Sequence, residues 1–117
     1  MTPEGKVLKD IKAWLKAKGI TFIRMALQPG VQVGWPDLMV LLPGGMAVFV
    51  EVKAAGKKPT PIQKAKLELL SERGFLAFWT DDANDAIRFL LTVMADLAHP
   101  APKASAVGAL AVHAEGR

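Results

Sequence analysis

Asp37 and the triplet Glu51-Val52-Lys53 are the residues of this chain whose types and spacing suggest chemistry. Glu51 and Lys53 are two apart, so on a strand they project to one face. The run before them, Ala47-Val48-Phe49-Val50, is apolar at every position, the pattern of an interior strand covered on both sides. A carboxylate and an ammonium leaving such a strand together need a wet cleft or a ligand, because burying them unpaired is costly.

The place of Asp37 follows from the connecting loop. Pro43-Gly44-Gly45 separates two strand-like segments, residues 37–42 and 46–53, as a hairpin connection does. If Leu42 faces Met46, opposed residue numbers sum to 88 and Asp37 lies directly across from Glu51. Opposed Cβ atoms on neighbouring strands sit roughly 4.5–5.5 Å apart. The two carboxylates would then repel unless a cation lay between them. A loop shifted by one residue would send them to opposite faces.

Two hard carboxylates with no His or Cys nearby describe a Mg²⁺ or Mn²⁺ site. Such an ion keeps positions for water and phosphate, acidifies water and neutralises phosphate charge, which suits phosphodiester hydrolysis. Lys53 would orient the attacking water or stabilise the developing negative charge. The bland alternative is a cross-strand ion pair between Lys53 and a carboxylate on a solvated face. With five Glu and eleven Lys in the chain, a Glu-x-Lys triplet alone carries little weight. Its combination with Pro36-Asp37 in matching register carries more.

The elements that must position these residues are legible from periodicity. Val7, Leu8, Ile11, Trp14 and Leu15 make one stripe of a helix over 3–18, with lysines opposite, Thr2 as cap and Pro3 in the first turn. Residues 20–27 read as a strand, and Gln28 to Trp35 as a loop in which Gly34 permits a turn. After the hairpin and a basic loop over 54–59, Thr60-Pro61-Ile62-Gln63 opens a second helix with a capping box, ending near Arg73. A strand over 75–80 and a helix over 81–97 follow, the latter burying Ala86, Ile87, Leu90, Leu91, Met94 and Leu97. Trp14 and Trp79 fall in core patterns. The order αβββαβα predicts a mixed α/β sandwich.

Composition bounds the rest. The 117 residues suit one domain, and the absence of cysteine excludes disulfides and thiolate chemistry. The only histidines, His99 and His113, lie in the last fifth of the chain, which disfavours a His-based zinc site or a Ser-His-Asp triad. Residues 1–98 read as the domain; 99–117, rich in Ala, Pro and Gly, read as a mobile tail, with a short strand over 107–112 as the weaker option. No stretch approaches the roughly 18 apolar residues of a membrane span, and the N-terminus carries lysines rather than a signal peptide's apolar region. The net charge of +4 is compatible with nucleic-acid binding but weak support for it.

The run from Glu4 through Gly34-Trp35-Pro36-Asp37 to Phe49-Val50-Glu51-Val52-Lys53, then Gly56 and Gln63, resembles the VRR-NUC family, virus-type replication-repair nucleases of the PD-(D/E)xK superfamily. The resemblance covers about residues 4–90. It implies a restriction-endonuclease-like αβββαβ core, a mixed sheet flanked by helices, here with a C-terminal helix added. It also implies that Asp37 and Glu51 bind metal, that the Val52 carbonyl assists and that Lys53 is catalytic. Small stand-alone members look related to Holliday-junction resolvases of phages and bacteria, which implies the cytoplasm of a bacterial or phage-infected cell. Residues after 98 have no counterpart in the resemblance.

Other positions carry two readings. Glu4 extends the first helix's apolar stripe and would reach the metal site, or it is a first-turn carboxylate favoured by the helix dipole; the resemblance favours the site. Gln63 completes the capping box, and the resemblance also puts it near the active site. Lys57, Lys58, Lys64 and Lys66 would contact phosphates or form a solvated basic face. Trp35 would stack on a base or be buried. The function expected is a Mg²⁺- or Mn²⁺-dependent endonuclease on DNA, in particular branched, flap or junction DNA. The rivals are a non-catalytic basic DNA-binding module on the same fold and a metal-dependent ribonuclease. A homodimer would suit the two-fold symmetry of a junction.

Overall fold

The computed structural model describes residues 1–25 and 33–98. The first helix, α1 (Pro3–Ala17), begins where the Thr2 hydroxyl accepts the Gly5 N–H at 2.9 Å. Three strands follow: β1 (Thr21–Arg24), β2 (Leu38–Leu42) and β3 (Met46–Val52). Helix α2 (Pro61–Glu72) starts from a capping box in which Thr60 and Gln63 each accept the other's backbone N–H. Then come β4 (Leu76–Thr80) and α3 (Ala83–Ala98). At the entry to α3, the Asp82 carboxylate accepts the Asp85 N–H at 3.0 Å, serving one of the N–H groups a helix start leaves unpaired.

The sheet runs in the order β1-β2-β3-β4. The first two pairs are antiparallel, and β4 joins β3 in parallel after the α2 crossover. β3, apolar from Met46 to Val50, therefore lies inside the sheet, as its pattern predicts. Leu38, Val40, Leu42, Val48, Val50 and Val52 pack on Leu8, Ile11 and Leu15 of α1 and on Ala86, Leu90 and Val93 of α3. Each such side chain contributes roughly 1.5–3 kcal/mol when fully buried. Phe49, buried outside that cluster, meets Phe75 edge-on at 5.4 Å. The architecture is the expected α/β sheet flanked by helices.

Three expectations need correction or limiting. Leu91 is 45% exposed, and Val93 is buried instead, because the covered stripe of α3 runs through Ala86, Leu90 and Val93. Trp79, placed in the core by its neighbours' pattern, is 39% exposed, because β4 is an edge strand. The strand read over 20–27 is Thr21–Arg24 within the described residues. Most of the Gln28–Trp35 loop, and everything expected of residues 99–117, including His99 and His113, lies outside them. Among the described residues no helix is long and apolar enough to cross a membrane.

Candidate active site

The β2/β3 ladder pairs Leu38 with Val50 and Leu42 with Met46, so paired numbers sum to 88 throughout. Pro43 to Gly45 are the connecting residues, with both glycines at positive φ (94° and 87°), where other residues are strained. Asp37 stands one step before β2 in this register, on the Glu51 side of the ladder. It does not extend the ladder through its backbone. Its carbonyl accepts the Met25 N–H at 2.9 Å, and its side-chain Oδ2 accepts the Val52 N–H at 2.7 Å. The carboxylate thus serves a β3 donor at the point where β2 ends. The two strands fork there, and Asp37 is held in the fork.

Glu51 is 3% exposed, one of two buried polar residues among those described. Its carboxyl pKa is pushed up from an ordinary 4.5 to about 8. Burial is the largest cause, followed by repulsion from Asp37; Lys53 acts in the opposite sense, and Glu4 and a side-chain hydrogen bond with Asp37 add to the rise. Two carboxyl groups therefore converge in a poorly solvated place, and burial, with repulsion from Asp37, keeps the proton on one of them near neutrality.

Lys53 follows directly. Its backbone N–H donates to the Thr80 carbonyl at 2.8 Å, holding the residue in line with β4. Its ammonium lies 3.3 Å from Gln63 Oε1 and 3.7 Å from Glu4 Oε1. The same Gln63 oxygen accepts the Thr60 N–H at 2.9 Å. Gln63 thus closes the cap and touches Lys53. Glu4 reaches the cluster from the first turn of α1, but as a partner of Lys53. Among the described residues no three His, Cys, Asp or Glu side chains group as ready metal ligands. The acidic oxygen donors are Asp37 and Glu51, with the Val52 carbonyl on the same stretch of chain.

The flanking basic residues divide. Lys57, Lys58 and Lys64 are exposed. The loop bearing the first two is pinned by the Gly56 N–H, which donates to Asp81 Oδ2 at 2.9 Å. Trp35 is half-buried, with the Lys66 ammonium 4.6 Å from its ring centroid, a cation–π contact that no sequence pattern signals. Pro36 is fully buried. Gly34, at φ 95°, lies so close to α2 that an added Cβ would meet Ile62 Cγ1 at 3.0 Å and its carbonyl oxygen at 3.3 Å. Gly34→Ala should therefore cost roughly 1–2 kcal/mol, partly backbone strain and partly displacement of α2, measurable by urea denaturation. Wild-type stability in that variant would mean the loop is not seated on α2.

No protein-family profile matches the chain. Over 30 residues, 26% of its length, it is 60% identical to the protein described as "Putative nuclease p44" of Acyrthosiphon pisum secondary endosymbiont phage 1. That segment spans 32% of the phage protein, about a third of its length. A solved structure described as "VRR_NUC domain" is 33% identical, with a TM-score of 0.68 over 77% of this chain and 96% of that one. A second, "VRR_NUC domain protein", is 22% identical with a TM-score of 0.60, covering 75% of this chain and 84% of the other; it speaks to the fold alone.

Proposed function

Because the chain belongs to the VRR-NUC family, we propose that it is a Mg²⁺- or Mn²⁺-dependent nuclease hydrolysing DNA phosphodiester bonds at Asp37, Glu51 and Lys53. The single observation that carries this reading is the convergence of Asp37 with the buried Glu51 at the strand fork, beside Lys53. The nuclease description of the phage relative supports it.

The donor set suits a small divalent cation. It consists of hard oxygens only, and an acid that holds its proton because it is buried beside a second carboxylate has much to gain from a cation. When bound, the ion would supply Lewis acidity toward water and positive charge toward the phosphate. The chain's own residues do the rest. Asp37, fixed by the Val52 N–H, presents its carboxylate in one orientation. Glu51, once deprotonated, would offer the second oxygen ligand, and the Val52 carbonyl would assist. Lys53, steered by Gln63 and Glu4, holds its ammonium where it can orient the attacking water or meet negative charge building on the phosphate. Lys57, Lys58 and Lys64 are free to contact neighbouring phosphates.

The substrate proposed is branched, flap or junction DNA, and a homodimer would match the symmetry of a junction. The test is cleavage of junction, flap, single-stranded and linear duplex DNA by wild type and Glu51→Ala, in Mg²⁺, in Mn²⁺ and in EDTA. Metal-dependent cleavage lost in the variant is expected. Cleavage that persists in EDTA, or in Glu51→Ala, would reject the assignment of the site. Binding without cleavage under every condition would favour a non-catalytic DNA-binding module.

A further inference from the structure

We propose that one flank of α1, carrying Lys9, Lys12 and Lys16, is a docking surface for the phosphate backbone of the duplex arm beside the cleavage site. This rests on reading that site as a DNA nuclease. It adds a second basic surface to the one formed by Lys57, Lys58 and Lys64 around the start of α2.

At 3.6 residues per turn, Lys9, Lys12 and Lys16 of α1 fall within about 60° of one another around the helix axis. The two carboxylates of the helix lie elsewhere, Glu4 and Asp10 each about 120° from Lys16 and on opposite sides of it. Glu4 is turned to Lys53, and Asp10 is paired with Lys6 at 3.1 Å. Among the described residues no carboxylate lies within ion-pair distance of Lys9, Lys12 or Lys16. Residues 3–18 hold five lysines against two carboxylates, so this stretch supplies +3 of the chain's net +4.

A helix face built only for solvation mixes charge signs, because like charges three or four residues apart destabilise a helix. Lys9–Lys12 and Lys12–Lys16 have those spacings. The C-terminal dipole favours Lys16 and Lys18, but Lys9 and Lys12 stand mid-helix. A polyanion relieves all three. The flank offers no ring on which a base could stack, since Trp14, the aromatic residue of α1, packs on the core. It therefore suits a stacked duplex met through its phosphates rather than a single strand. A membrane surface suits it less, because the apolar face that would insert, Leu8, Ile11 and Leu15, is buried. Position sets which stretch of duplex is met. Glu4 Oε1, 3.7 Å from the Lys53 ammonium, fixes the first turn of α1 at the site. Lys9 to Lys16 follow about 8–18 Å further along the axis, a span of about three phosphates of one strand.

Binding of a labelled duplex is measured in EDTA across a salt series, so the surface is read whether or not the protein cleaves. Lys9→Gln/Lys16→Gln is compared with Lys18→Gln/Arg73→Gln, which removes the same charge at exposed positions off the flank. Each lost phosphate contact should reduce the slope of log K against log salt by about 0.9. The flank variant should thus lose about 1.8 in slope and roughly tenfold or more in affinity near 0.1 M salt. The off-flank variant should keep the wild-type slope, and Lys9→Arg/Lys16→Arg should keep both slope and affinity. Melting curves verify that each variant is folded. Equal slopes in the two glutamine variants, or no duplex binding by wild type, overturn the proposal. So does tighter binding to anionic phospholipid vesicles than to duplex, lost in the flank variant alone. Flank-dependent duplex binding without cleavage in any metal would sink the nuclease reading and leave the surface standing.

Discussion

Asp37→Asn should lower cleavage by about a thousandfold or more while leaving the fold almost as stable as wild type, whereas Asp37→Ala should lose both activity and stability. The two variants separate two duties of one carboxylate. Its Oδ2 accepts the N–H of Val52, a residue with no exposed surface. An amide oxygen can take over that acceptor role, but a methyl group cannot. A buried N–H left unpaired costs roughly 1–3 kcal/mol, which Asp37→Ala should show in urea denaturation. The negative charge has no such substitute, so both variants should fail to cleave. An active Asp37→Asn would mean that the carboxylate serves the strand fork alone.

The second large effect is on the pH dependence of the metal-free protein. Glu51 has its folded-state pKa raised to about 8 from an ordinary 4.5, chiefly by burial and then by Asp37. Between those values the native state keeps a proton that the unfolded chain has released. The resulting stabilisation is complete below about pH 4.5 and disappears as pH rises through about 8. Metal-free wild type should therefore melt at lower temperature as pH is raised across that window. Glu51→Gln, which carries no ionisable proton, should lose most of this slope and be the more stable protein at alkaline pH. Adding Mg²⁺ or Mn²⁺ should restore wild-type stability most where Glu51 is ionised, with proton release visible by calorimetry in buffers of different ionisation enthalpy. Parallel melting profiles for wild type and Glu51→Gln would overturn the account.

What the sequence made legible follows from period and loop length. The apolar run from Ala47 to Val50 marks an interior strand, and three residues between Leu42 and Met46 set the register that brings Asp37 level with Glu51. Thr60 and Gln63 announce the start of α2 through side chains that bond backbone three residues away. These are local effects, and local spacing encodes them. Trp79 falls in a core pattern yet is exposed, because whether an apolar residue is covered depends on sheet order, and β4 lies at the edge. Leu91 and Val93 both fit a helical stripe, and only the packing of α3 chooses between them. The contacts of Asp37 with the Val52 N–H, of Glu4 with Lys53 and of Lys66 with Trp35 join residues far apart in sequence or outside a common repeat. No spacing rule points to them.

One oxygen, Gln63 Oε1, serves both the Thr60 amide and the Lys53 ammonium. Fraying of a single helical turn would thus disarm the lysine without touching the sheet. If the proposed site cleaves DNA, warming should accordingly abolish cleavage before the protein melts, in step with amide exchange at the head of α2 rather than with loss of the core.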